Sequence, residues 1–397
     1  MSIELNRAPA PVEVARAAAA AGAAPIVESD LRLATAGAGL GRVPAGLLPL
    51  AMIAVLLAIS LIPRFAAEPV LVTSTRVTAA VLLAWLAIVV LSARRAGRRL
   101  AIDVRVVRAH YVQSLCHLAI FFYWGLIVPR IAAEAPLFLA QIALLIAADA
   151  LLSWSRGRAF VLGFGALPIV FSTNFFLWFH HDWYFLQYAM IALAVFGKEF
   201  VRWQRDGRSA HIFNPSSFAL AVASMALLVT GTTAITWGPE LATTIGRPQH
   251  MYLLLFGLSL LPHLLFAVTP MTLAAVGTVI AWDLVYLRVT GGYFFIDTSI
   301  PAAVFLGAIF LFTDPATAPR SRAGRVIYGM GYGIGVCALF LVFRAFDLPA
   351  FYDKLLPVPV LNVAVRAIDR LAGSRAFAVF DRERILGVRL TPGRVNL

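Results

Sequence analysis

Long apolar stretches recur along the whole sequence, and they limit the fold more than any other feature does. Most are close to the roughly 20 residues that a helix needs to cross the ~30 Å hydrocarbon core of a bilayer. Hydrophobic residues make up 61% of the 397 residues and charged residues only 13%, which excludes a soluble domain of this length. The sequence therefore predicts an all-α integral membrane protein.

Twelve of these stretches qualify as candidate spans, and they divide the chain into regions. Residues 1–42 are alanine-rich and predict a cytoplasmic N-terminal arm, and residues 371–397 predict a basic cytoplasmic tail. The spans cover residues 43–63, 77–91, 111–128, 136–152, 160–178, 183–196, 215–229, 251–268, 271–287, 300–312, 326–342 and 348–368.

The basic residues cluster in a few of the loops and predict the orientation of the chain. Arginine and lysine are retained on the cytoplasmic side of a membrane. The basic loops are 94–108, 156–158, 198–208 and 320–325. We expect them to be cytoplasmic, with both termini on the same side of a bacterial-type inner membrane. The net charge of +13 is explained by this retention, so nucleic acid is not an expected partner, whereas membrane lipids are.

Several kinds of chemistry have no sequence signal. Cys116 and Cys337 both lie within predicted spans, so neither a disulfide framework nor a cysteine-held metal or iron–sulfur site is expected. No glycine-rich phosphate loop and no nucleophile with an adjacent base occurs. Independent enzymatic turnover is therefore not expected, and no metal site is predicted.

Two Pro-containing motifs indicate broken helices near a central site. Asn214-Pro215 and Asp314-Pro315 each follow an aromatic residue closely and precede small hydroxylated residues. Proline disfavours helix in the residue before it, so each motif is expected to interrupt or start a helix. Paired broken segments are typical of duplicated membrane folds with a central binding site.

Three stretches resemble one known family in order and spacing. They are GKEFVRWQRDGRSAHIFNPSSF from Gly197, FLFTDPATAPRSRAGRVIYG from Phe310 and VLNVAVRAIDR from Val360. The family is that of the D subunit of the Rnf electron-transport complex and the B subunit of the sodium-pumping NADH:quinone reductase. The resemblance covers residues 111–370 and implies a ten-helix core of two inverted five-helix repeats, with residues 43–93 as two added transmembrane helices.

The resemblance also implies a membrane subunit that works with other membrane subunits in a redox complex. The family carries FMN esterified to the threonine of a Ser-Gly-Ala-Thr motif, and this motif does not occur here. Covalent FMN is therefore not expected, which leaves non-covalent riboflavin or FMN as the implied cofactor. Haem is a further alternative, but bis-histidine ligation needs imidazoles on facing helices at similar depth, and no repeated pair at a helical spacing occurs.

The candidate central site combines the two motifs with neighbouring polar residues. Lys198 could snorkel to the interface, or it could converge with Arg208 and the helix N-terminus after Pro215 on a phosphate or carboxylate. The candidate residues are Lys198, Arg208, His211, Asn214, Pro215, Ser216, Thr313, Asp314, Pro315 and Thr317.

Ionisable residues within predicted spans are further candidates, because burying them in a bilayer is costly. Asp149 is expected to pair with Arg156 or Arg158, or to bind a proton or cation. Asp283 has Arg288 as its local partner. Asp297 is predicted to cap a helix, with a cofactor or ion contact as the alternative. His117 and His263 complete the set of intramembrane candidates: Asp149, Asp283, Asp297, His117 and His263.

Three functions remain open on this sequence. The first is a membrane subunit of an electron-transport complex. The second is a small-solute or ion transporter or channel on the same inverted-repeat fold. The third is a structural accessory subunit of another membrane complex.

Overall fold

Helices account for most of the computed structural model, which describes residues 45–374 apart from 206, 247, 297 and 299. The first group of helices runs up to the Asn214-Pro215 motif. It comprises α1 (Leu47–Ile59), α2 (Pro63–Ala66), α3 (Pro69–Arg95), α4 (Arg108–Ile127), α5 (Pro129–Ala133), α6 (Ala135–Ser155), α7 (Leu167–Asn174) and α8 (Tyr184–Phe200).

The second group begins at that motif. It comprises α9 (Pro215–Thr230), α10 (Gly238–Gly246), α11 (His250–Phe266), α12 (Thr269–Thr290), α13 (Ala302–Leu306), α14 (Arg322–Ala345) and α15 (Pro357–Ala372). Within the described residues, a π-helical segment, Gly307–Leu311, continues α13. Short 3₁₀ helices lie at Phe164–Ala166, His181–Trp183, Thr233–Ile235 and Ala350–Lys354.

Within the described residues, two small sheets lie in or next to the basic loops and are the exception to the all-helical prediction. Strand β1 (Ile102–Val104) pairs in parallel with β2 (Phe160–Leu162). Strand β3 (Arg202–Arg205) pairs antiparallel with β4 (Arg208–His211), with Arg202 opposite His211. Residues 160–162, predicted as the start of a span, therefore pair as a strand at the end of the bundle.

Fewer helices than predicted are long enough to cross a membrane. Within the described residues, α3, α6, α12 and α14 are long and apolar enough, and the bent pair α10 and α11 makes up to five. Two predicted spans are much shorter as helices: α7 has 8 residues and α13 has 5 before its π-helical segment. At 1.5 Å per residue such helices reach only part of the way through a bilayer. The chain is a helical, multi-pass membrane protein with partial helices among its spans.

The basic loops meet at one end of the bundle, which we call the basic end. Arg158 at the end of α6 pairs with Glu199 at the end of α8, and Arg205 of β3 lies 2.8 Å from Asp369 near the end of α15. At the opposite end, Tyr123 near the end of α4 contacts His250 at the start of α11. The helices therefore run between two ends that differ in charge.

Helices α1 to α3 pack on the rest of the bundle through hydrogen bonds at three depths. Arg64 donates to Glu134 at 2.8 Å, the Thr75 and Tyr188 hydroxyls lie 3.0 Å apart, and Trp85 Nε1 donates to Ser155 Oγ at 3.0 Å. The first bond lies near the opposite end, the second lies in between, and the third lies near the basic end. They hold α3 alongside α6 and α8.

Candidate functional site

The Asn214-Pro215 motif is a helix start. Pro215 is the first residue of α9, where the missing N–H of proline costs nothing. The Asn214 side-chain oxygen accepts hydrogen bonds from the Ser216 N–H at 3.1 Å and the Ser217 N–H at 3.5 Å, and from the Ser216 hydroxyl at 2.8 Å. The motif is therefore a side-chain N-cap, and its sequence is sufficient to form it.

The remaining polar groups of Asn214 join α9 to three other helices. Its amide nitrogen Nδ2 donates to the carbonyl of Leu311 at 2.8 Å, and its backbone N–H donates to Asn362 Oδ1 at 3.0 Å. Asn362 Nδ2 in turn donates to the Tyr328 hydroxyl at 2.6 Å. We call Asn214, Leu311, Tyr328 and Asn362 the asparagine junction. It connects the start of α9 with the end of the π-helical segment, α14 and α15.

The asparagine junction is buried, so each of its hydrogen bonds matters energetically. Asn362 and Tyr328 are 0% exposed and Asn214 is 7% exposed. The Phe312 ring stacks on both Tyr328 and Tyr332, with ring centroids 5.7 and 4.5 Å apart. A buried amide without a partner costs about 1–3 kcal/mol, so the network favours this one arrangement of helices.

His211 and Asp314 form a hydrogen-bonded pair beside the asparagine junction. His211 Nε2 lies 3.0 Å from Asp314 Oδ2. Asp314 Oδ1 accepts the Ala316 N–H at 3.0 Å, and the Thr317 hydroxyl lies 3.4 Å from Oδ2. Burial by itself would raise the pKa of Asp314, but the hydrogen bond and charge of His211 and the Ala316 N–H hold that pKa below its usual range.

The Asp314-Pro315 motif and the Asn214-Pro215 motif both lie at helix breaks, but in different ways. Asn214 precedes a helix, whereas Thr313 and Asp314 follow the end of one. Thr313 donates back to the Ile309 carbonyl at 2.7 Å, and Pro315 is exposed. The two motifs meet through His211 and Asp314 and through Asn214 and Leu311, so the structure brings them together at the basic end.

The prediction that Asp149 pairs with Arg156 or Arg158 is wrong, because both arginines pair with a different carboxylate. Asp149 Oδ2 lies 3.6 Å from Lys198 Nζ, between α6 and α8. Arg156 and Arg158 both form ion pairs with Glu199 and not with Asp149. Burial lowers the pKa of His110, and the charge of Lys198 lowers it further, against the charge of Asp314, which raises it. The side chain of Arg208 lies outside the described residues, so convergence on an anion stays a prediction.

Asp283 also has a different partner from the predicted Arg288. It is fully buried, and its Oδ1 accepts the backbone N–H of Phe294 at 2.7 Å. Its Oδ2 has no hydrogen-bond partner within the described part of the chain. Asp297 lies outside the described residues.

The two intramembrane histidines both pack against Phe310. His117 is fully buried and neither ring nitrogen has a hydrogen-bond partner among the described residues. His263 Nε2 lies 2.9 Å from the Ile309 carbonyl. The Phe310 ring packs on both imidazoles, at 4.7 Å from His117 and 6.4 Å from His263. Phe310 therefore links the two histidines through ring contacts, and His263 Nε2 already lies beside a backbone carbonyl.

A polar cluster nearer the opposite end was not predicted from the sequence. Gln141 exchanges hydrogen bonds with Asn174 at 3.2 and 2.7 Å, and Gln187 donates to both of them. Tyr184 accepts from Gln141 at 3.1 Å. Neutral amides scattered through apolar spans carry no charge signal, and their grouping depends on how the helices pack.

That cluster borders an aromatic cavity, which tests the flavin expectation. The cavity measures about 10 Å³ and is lined by Phe138, Trp178 and Trp237 as well as the amides. This is room for about one water molecule, far less than an isoalloxazine ring needs. The aromatic cavity is therefore too small to hold a flavin.

A buried ion pair next to the start of α15 was also missed. Lys354 and Asp353 are 5% and 2% exposed, and Lys354 Nζ lies 2.8 Å from Asp353 Oδ1. Lys354 also donates to the Phe351 carbonyl at 2.6 Å.

Within the described residues, no group of three or more histidine, cysteine, aspartate or glutamate side chains could hold a metal ion.

The fold and the junction define a helical, multi-pass membrane protein with a buried polar connection between the two motifs at its basic end. Over 94 residues the chain is 38% identical to the D subunit of an ion-translocating oxidoreductase complex from Stutzerimonas stutzeri. The match covers 23% of this chain and 23% of that protein. No family model matches the chain. No solved structure matches it.

Proposed function

We propose that this chain is a membrane subunit of an ion-translocating redox complex, related to the D subunit of the Rnf type. The observation that carries the proposal is the 38% identity over 94 residues to such a subunit. The relative is named as part of a complex, so other membrane subunits are the proposed partners. The proposed location is the inner membrane, with the basic end and both termini cytoplasmic.

The order of elements supports a fold of two inverted repeats. Each half has two longer helices, then a short one, then two more: α4, α6, α7, α8 and α9 in the first, and α11, α12, α13, α14 and α15 in the second. Helix α4 begins at the basic end, whereas α11 begins at the opposite end, beside the end of α4. In this pairing the counterpart of the Pro215 start is Pro357, and the counterpart of the α13 end is the end of α7.

The role proposed for the asparagine junction is to hold the two repeats in one relative position. Asn214 belongs to the first repeat, whereas Leu311, Tyr328 and Asn362 belong to the second. His211 and Asp314 make the same connection with ionisable side chains. A partner protein that docks on the basic end would meet a surface built from both repeats.

Affinity purification of the full chain from its native membrane in a mild detergent tests the proposal. We expect redox subunits to co-purify, and Asn214→Ala or Asp314→Ala to reduce that co-purification more than it reduces expression. Asp182→Ala is the matched control, because Asp182 is exposed near the opposite end. A chain that purifies without redox subunits in all forms contradicts the proposal.

Transport of a small solute or ion is the second candidate, and the partial helices favour it. Helices α7 and α13 both end inside the bundle, and broken helices form the binding sites of many transporters. Purified chain in liposomes that takes up solute, with uptake lost in Asn214→Ala, supports this candidate. Uptake equal to that of empty liposomes for a panel of ions and small solutes contradicts it.

A further inference from the structure

A cavity at the basic end, away from the asparagine junction, combines three arginines with an aromatic wall. It measures about 220 Å³ and lies between the end of α3 and the end of α6. Arg98, Arg99 and Arg158 line it, together with Trp154. Gly157, with φ +72°, leaves space for Arg98, whose Nη1 would lie 3.1 Å from a side-chain carbon at that position.

The arginines that line the cavity carry more positive charge than the surrounding acidic side chains neutralise. The side chains of Arg98 and Arg99 have no ion pair or hydrogen bond within the described residues. Arg158 pairs with Glu199, but Arg156 shares that carboxylate. An anion in the cavity would therefore meet two unpaired guanidinium groups, which suit phosphate oxygens well.

An apolar surface precedes this cavity along α3, the helix that ends just before Arg98. Val81, Ile88 and Leu91 of α3 are 59%, 62% and 52% exposed. Their spacing of seven and three residues places them on one face of the helix, and Arg95 continues that face. The face is long and apolar and ends in positive charge, which is the pattern that an anionic lipid complements.

We propose that the arginine cavity binds the phosphate headgroup of an anionic phospholipid, whose acyl chains lie along the exposed face of α3. Retention of arginine on one side of the membrane accounts for the charge, but not for a cavity of this size beside a continuous apolar face. The site is formed jointly by α3 and α6, so a bound lipid would also hold α3 on the bundle. This inference does not depend on the proposed redox function.

Lipid binding to the purified full chain tests the inference. The chain is stripped of lipid in detergent and mixed with phosphatidylglycerol, phosphatidylcholine or inorganic phosphate. Binding is followed by the shift in thermal midpoint and by lipid phosphorus retained per chain. We expect about one phosphatidylglycerol per chain, and an affinity about 30-fold weaker in Arg98→Gln/Arg99→Gln.

The control removes two charges elsewhere at the basic end. Arg322→Gln/Arg370→Gln changes two exposed arginines of α14 and α15 that lie away from the cavity. We expect its phosphatidylglycerol affinity to stay within about twofold of the unchanged chain. Equal losses in the two double variants, or a shift with inorganic phosphate as large as that with phosphatidylglycerol, would overturn the proposal. The midpoint in phosphatidylcholine shows that each variant is folded.

Discussion

The backbone N–H of Asn214 donates a 3.0 Å hydrogen bond to the side chain of Asn362, 148 residues further along the chain. The same side chain donates to Tyr328. The side-chain amide of Asn362 thus provides a hydrogen-bond partner both for the backbone N–H of Asn214, which caps α9, and for the hydroxyl of Tyr328 in α14. Proline follows Asn214, so the helix starts at Pro215 and does not extend back through Asn214. The backbone N–H of Asn214 therefore has no helical partner and depends on Asn362.

Asn362→Ala is expected to destabilise the protein by about 2–4 kcal/mol, since it leaves the Asn214 N–H and the Tyr328 hydroxyl buried without partners. The measurement is unfolding of purified chain in detergent. Val363→Ala is the control, because Val363 is 57% exposed and its loss should cost under about 1 kcal/mol. Equal losses in the two variants would show that the asparagine junction does not stabilise the fold.

Gly329→Ala is expected to disrupt the packing of α12 against α14. A side-chain carbon at Gly329 would lie 2.1 Å from the Met271 carbonyl, so one helix must move, at a cost of about 1–3 kcal/mol. Gly257→Ala is the matched control, because nothing lies within 4 Å of that position. Helix propensity favours alanine there by about 0.5–1 kcal/mol. A smaller loss at Gly329 than at Gly257 would contradict the close approach, as measured by thermal midpoints.

Asp149 and Lys198 are expected to couple in a double-mutant cycle of Asp149→Asn and Lys198→Gln. The pair is 3.6 Å apart and its side chains are 23% and 33% exposed, so we expect a coupling of about 0.5–1 kcal/mol. Asp103 and Arg105 form the control pair, 3.3 Å apart but 53% and 64% exposed, and their coupling should be near zero. Stronger coupling in the control pair would mean that distance, and not burial, decides the interaction.

His181 is expected to make stability fall as pH rises. Its pKa is raised, first by the hydrogen bond to Glu134 at 3.1 Å and also by the charges of Glu134 and Glu68, against the effect of burial. A raised pKa in the folded state gives stabilisation that is complete below the unfolded value of about 6.5 and is lost as pH rises through the folded value. Thermal midpoints between about pH 5 and 9 measure it. His181→Gln should flatten this part of the profile, and a variant whose midpoint falls as steeply as that of the unchanged chain would contradict the assignment.

The class of protein could be predicted from the sequence because hydropathy is a sum over neighbouring residues. The start of α9 could also be predicted, since Asn214, Pro215 and Ser216 form the cap among themselves. Long-range partners could not be predicted in this way. The nearest arginines in the sequence suggested partners for Asp149 and Asp283, but the structure uses Lys198 and the Phe294 backbone instead.

The lengths of the helices likewise depend partly on local sequence and partly on tertiary contacts. Apolar composition indicated spans at residues 160–178 and 300–312, but α7 is short, and α13 gives way to a π-helical segment that ends at Leu311. Both segments end in hydrogen bonds to other helices. Asn174 finds its partners in Gln141 and Gln187, and Leu311 finds its partner in Asn214. Local composition and capping were enough to predict a helical membrane protein with a helix that starts at Pro215. The ends of the partial helices and the pairing of the polar groups depend on tertiary contacts, because those groups lie far apart along the chain and meet only when the helices pack.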